Sequence, residues 1–174
     1  MMEALGTNPT QLTGLLVFAL AAIACARTAW IQRTRLWWTL TAACSCLVLE
    51  VAIGLRHRAH DLVDALLLAD GLYASRGPVQ LVLVGAALVL SVGTLAWLTR
   101  LRFADVNAKV ATVGCAVALW LFLIETISLH GVDAVMYAHI GPVFVIGWAW
   151  AATALLVTGA ALRVKRGNAP ARRR

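Results

Sequence analysis

The sequence predicts an all-α integral membrane protein of five transmembrane helices, in which spans two–three and four–five are a tandem parallel repeat of two helical hairpins and the first helix stands apart. Three observations carry this. The 174 residues are 61% hydrophobic and 13% charged, with a mean hydropathy of +0.83, too little polar surface to clothe a soluble domain. Five apolar runs, at about 11–29, 36–55, 79–99, 110–130 and 140–162, match the ~30 Å hydrocarbon layer at about 1.5 Å per residue. They lack the polar face at a 3.6-residue period that a soluble bundle needs. Finally, a glutamate, then Val-Asp-Ala, then Tyr-Ala-x-x-Gly-Pro-Val occurs twice: Glu50, Val63-Asp64-Ala65 and Tyr73 to Val79, then Glu125, Val132-Asp133-Ala134 and Tyr137 to Val143.

The elements follow in order within a single membrane domain, 1–174. Met1 to Gln11 carries Glu3 and no lysine or arginine, so it lacks the basic start of a secretory signal. The second span leads into an outer helical loop, 56–77, about eleven residues longer than its counterpart in the second copy. Gly77-Pro78 and Gly141-Pro142 are expected to open the return helices, because proline tolerates the first helical turn and glycine permits a sharp approach. A basic tail, 163–174, closes the chain.

Charge orients these spans. Arg27, Arg33, Arg35, Arg100, Arg102, Lys109, Arg163, Lys165, Arg166 and Arg172 to Arg174 fall on one side, and Arg56, Arg58 and Arg76 on the other. By the positive-inside rule the first side is cytoplasmic, which puts the N-terminus outside and the C-terminus inside the plasma (inner) membrane. The net charge of +7 is then a topology signal with attraction to anionic lipid, not a nucleic-acid footprint. Trp30, Trp37, Trp38 and Trp97 suit an aromatic belt at the cytoplasmic boundary; Trp148 and Trp150 lie deeper and suit packing first, or the lining of a cavity. Gly114-x-x-x-Ala118 and Gly147-x-x-x-Ala151 offer smooth faces for close helix contact.

On this topology the chemistry collects outside. All four histidines (His57, His60, His130 and His139) and every acid beyond Glu3 except Asp105 lie in outer loops or at outer helix ends. Glu50 and Glu125 are the informative ones. Each sits near the outer end of its span, where insertion of an acid costs up to about 2.5–3.5 kcal/mol, less near the interface, and where acids face a bundle interior and are paired. If the second helix runs on unbroken, Glu50, His57, Asp61 and Asp64 share one face, with His60 and Asp64 one turn apart; otherwise this stretch bends over as an interfacial helix. A pseudo-twofold axis along the membrane normal would bring Glu50, Asp64, Glu125 and Asp133 together, with the first span packed against that four-helix core.

Glutamate, aspartate and histidine suit a divalent transition metal such as Zn, Fe, Mn or Cu. The ligand candidates are Glu50, His57, His60, Asp64, Glu125, His130, Asp133 and His139, with Tyr73, Gly77, Pro78, Tyr137, Gly141 and Pro142 shaping the turns. The tyrosines serve either as interfacial anchors or as hydrogen-bond partners of the acids. A b-type haem between two histidines is the alternative cofactor. Cys44 and Cys46 point about 160° apart on a helix, so they are no redox pair, and all four cysteines read as small buried residues. No dinucleotide fingerprint, phosphate loop or hydrolase motif is present. Three functions fit: an outward-facing metal site with catalytic use open to it, a structural or assembly subunit of a larger membrane complex or homo-oligomer, and a proton- or cation-coupled transporter.

Overall fold

The computed structural model describes residues 8–54, 58, 82, 85–86, 89–94, 96, 105–127 and 130–164. Among them are five helices and one short hairpin: α1 (Pro9–Gln32), α2 (Arg35–Ile53), α3 (Val106–Ile127), α4 (His130–Met136), β1 (His139–Ile140), β2 (Val143–Phe144) and α5 (Val145–Arg163). Four of these helices are long and apolar enough to cross a membrane: Pro9–Gln32, Arg35–Ile53, Val106–Thr126 and Val145–Arg163. Of the predicted span 79–99, the described positions are all helical.

Local chemistry sets the helix ends. Asn8 caps α1 by accepting the Gln11 N–H at 2.7 Å, and Pro9 takes the first helical position, where its missing N–H costs nothing. Arg33 ends α1 in the left-handed region, φ 51°, returning its N–H to Ala29 O at 2.8 Å. Gly54 ends α2 in the same way, φ 64°, with its N–H on Glu50 O at 2.8 Å. α2 therefore ends at Gly54, and positions 57, 61 and 64 of the expected continuation lie outside the described residues.

The first helix is central. It packs against both α2 and α5, and α5 packs in turn against α3, while α2 and α3 touch only thinly. The first span was expected to pack against the other helices, and it does so between α2 and α5. Small residues explain why α1 can sit there. A Cβ at Gly14 would stand 2.9 Å from Trp150 Cε3, and one at Gly147 would stand 2.6 Å from Val143 Cγ1 and 2.8 Å from Thr10 Cγ2. Gly114 does the same service between α3 and α5, its missing Cβ 3.0 Å from Val157 Cγ2. Hydrogen bonds fasten α1 to the α5 region at both ends: Phe144 N–H donates to Thr10 Oγ1 at 2.9 Å, and the Thr28 hydroxyl donates to Ala161 O at 2.9 Å. Between them Phe18, Phe122 and Trp150 form an aromatic core, with Phe122 and Trp150 stacked at 4.9 Å and 5°.

Leu16, Leu20, Ile23, Leu155 and Leu162 remain exposed, as a lipid-facing surface requires. Two side chains depart from expectation. Trp37 is buried in the core, not part of a belt, and Cys46 is exposed while Cys25, Cys44 and Cys115 are buried.

Candidate functional site

The ends of α1, α2, α3 and α5 that carry Asn8, Gly54, Glu125 and Val145 meet at one end of the bundle. Arg33, Arg35, Lys109 and Arg163 lie at the opposite ends of the same helices. Glu125, in the last turn of α3, is 6% exposed. The hydroxyl of Tyr137 donates to its Oε1 at 3.0 Å. A tyrosine twelve residues downstream can reach back because α4 is short and ends there, with the Tyr137 N–H on Asp133 O at 2.9 Å and the Ala138 N–H on Val135 O at 3.2 Å.

The hairpin then fixes the tyrosine. Its strands pair His139 with Phe144 and Ile140 with Val143, and Val145 N–H closes on Ala138 O at 2.9 Å. Gly141 (φ +65°) and Pro142 form its two-residue tip, the sign pattern of a type II′ turn with glycine first. Gly-Pro was expected to open the last span; instead the helix begins three residues later, at Val145, and the proline turns a hairpin. The Tyr137 ring stands edge-on to Phe144 at 5.7 Å between centroids, and the His139 ring lies 4.4 Å from the same phenyl group between centroids, tilted by 57°. Trp148 donates its indole N–H to Ile140 O at 3.1 Å. It is an exposed brace for the hairpin, whereas Trp150 is buried.

Opposite Tyr137, the Gln11 side-chain amide donates to Val51 O at 3.0 Å, satisfying one of the last α2 carbonyls that lack a helical partner. Between these walls lies a cavity of about 170 Å³ lined by Asn8, Thr10, Gln11, Val51, Gly54, Glu125, Tyr137, Phe144, Ile146 and Trp150. The site favours acceptors. Two helix C-termini, of α2 and α3, bring their negative ends to it. The N-termini of α1 and α5 arrive there too, but Asn8 Oδ1 and Ala138 O take N–H groups at these ends.

Of the predicted residues, the structure brings Glu125 and Tyr137 together, and Tyr137 is a partner of the acid. Glu50 is half-buried on α2, next to the cavity-lining Val51 but not itself in the lining. His130 and Asp133 fall in α4, and His139, exposed on the hairpin, packs on Phe144; Asp133 and His139 are not in the cavity lining. His57, His60, Asp64, Tyr73, Gly77 and Pro78 lie outside the described residues. Among the described residues, no group of three or more His, Cys, Asp or Glu is placed to hold a metal ion. Asn8, Thr10 and Gln11 were not anticipated; the signal was an Asn-Pro helix start followed by two polar residues heading an apolar run. No protein-family model, curated protein or solved structure matches the chain.

Proposed function

We propose that the protein crosses the plasma membrane five times, N-terminus outside and basic tail inside, and binds a cation in the Glu125 pocket at the outer surface. The observation that supports this most is a carboxyl group buried at a span end and sharing a cavity with Tyr137, Gln11 and Thr10. A carboxyl taken out of water needs a proton or positive charge close by. At about 30 Å³ per water, the cavity's ≈ 170 Å³ has room for a cation with several of its waters.

The floor of the pocket favours binding over conduction. Trp150, stacked on Phe122 and flanked by Phe18, closes the inward direction with apolar rings. A divalent transition metal is the most demanding form of this reading, since such ions take three or four N, O or S ligands. Glu125 would then be joined by His57, His60 or Asp64.

The test is metal analysis of the full chain purified without chelator, with calorimetric titration of Zn²⁺, Mn²⁺ and Na⁺ into wild type and Glu125→Gln. Saturable binding in wild type, weakened at least about tenfold in the variant (about 1.4 kcal/mol), is expected. Wild-type protein that carries no metal and shows no saturable response to any of the three ions would overturn the reading.

A further inference from the structure

Three of the four cysteines converge although they come from three different helices. Cys25 on α1, Cys44 on α2 and Cys115 on α3 are each at most 3% exposed and belong to one core cluster. The thiol of Cys44 lies within weak hydrogen-bonding reach of those of Cys115 and Cys25. They share a depth: Cys25 is seven residues before Gln32, Cys44 nine after Arg35 and Cys115 nine after Val106, roughly 10–14 Å from the basic ends at 1.5 Å per residue. This cluster is separate from the Glu125 pocket, and no part of the proposed cation binding uses it.

We propose that Cys44 and Cys115 are a reversible dithiol–disulfide pair that staples α2 to α3 inside the bilayer. The choice of chemistry follows from the surroundings. A dithiol and a disulfide are both uncharged, so neither form places an ion in an apolar core, whereas metal thiolates would. The choice of pair follows from the fold. Cys44 and Cys115 span the seam between α2 and α3, which meet more thinly than α1 with α2, α1 with α5 or α3 with α5. An S–S bond of about 2.05 Å needs the thiols to close from van der Waals contact, and a thin seam yields to that movement most readily. Oxidation breaks two S–H bonds and forms one S–S bond; the two electrons and two protons pass to a membrane-soluble quinone, which leaves as the quinol. Because Val51 and Gly54 of α2 and Glu125 of α3 wall the outer pocket, the staple also fixes how far apart those walls stand.

The experiment treats membranes containing the full chain with duroquinone, traps remaining thiols with N-ethylmaleimide and maps peptides by mass spectrometry. The expected result is a Cys44–Cys115 linked peptide, about 2 Da lighter than the sum of its parts, abolished by dithiothreitol. Cys46 stays alkylated, and Cys25→Ser retains the link while Cys115→Ser loses it. Full alkylation of Cys44 and Cys115 after quinone treatment that oxidises a control dithiol overturns the proposal, as does a link from Cys44 to Cys25 alone. Both readouts are taken on wild type, so they do not depend on a variant folding.

Discussion

Replacing Tyr137 by phenylalanine removes one hydroxyl and little else. The ring keeps its edge-on contact with Phe144 at 5.7 Å, so packing is preserved and the change isolates the 3.0 Å bond to Glu125 Oε1. A hydrogen bond to a charged group contributes about 1.5–3 kcal/mol in proteins, while side-chain bonds between membrane helices average about 0.6 and reach about 1.7 kcal/mol. The Tyr137–Glu125 bond lies at a span end, part-buried, between these situations, and we expect a coupling of about 1–2 kcal/mol. A double-mutant cycle measures it: wild type, Tyr137→Phe, Glu125→Met and the double variant, each unfolded reversibly in mixed micelles. Methionine keeps the volume of the glutamate and removes its acceptors. A coupling below about 0.3 kcal/mol would mean that the tyrosine does not hold the acid, and the pocket as drawn would lose its organising contact.

Two further outcomes test the frame around the pocket. Gly147→Ala places a methyl group 2.6 Å from Val143 Cγ1 and 2.8 Å from Thr10 Cγ2 and should cost about 1–3 kcal/mol by overpacking; adding Val143→Ala should recover part of that loss, and no recovery would locate the strain elsewhere. Gly141→Ala meets nothing within 4 Å but must adopt φ +65°, a backbone cost of about 1–2 kcal/mol, whereas Gly159→Ala, equally open but inside α5, should be neutral to about 1 kcal/mol stabilising; equal effects in thermal unfolding would refute the turn assignment.

Much of this architecture was legible because a membrane penalises polarity so strongly. Four of the apolar runs became helices long and apolar enough to span a membrane, with ends within about five residues of those expected, and the α3 acid that stood out in its run is the buried one. The partner choice was harder to read. Gly-Pro suits both a helix start and a hairpin tip, and what decided between them was the cross-strand match of His139 with Phe144, a long-range register no local pattern shows. Likewise Gln11 and Thr10 look like ordinary flanking residues until α1 is known to lie between α2 and α5. Glu50 and Glu125 are alike in sequence but differ in burial, because Val51, one position on and 100° around the helix, is the residue α2 turns inward. The thiol cluster left no trace in spacing, since its members are scattered over ninety residues and meet only through their common depth.

The parallel pairing of α1 with α5 bears on how the chain is built. The bonds joining Thr10 to Phe144 and Thr28 to Ala161 bridge 134 and 133 residues, so α1 meets α5 only after all the residues between them have been made. Until then Gly14 has Val51 of α2 beside it but lacks Trp150, and a chain stalled before residue 145 is an unfinished intermediate. Biogenesis, more than the finished bundle, is where substitutions in that groove should be felt first.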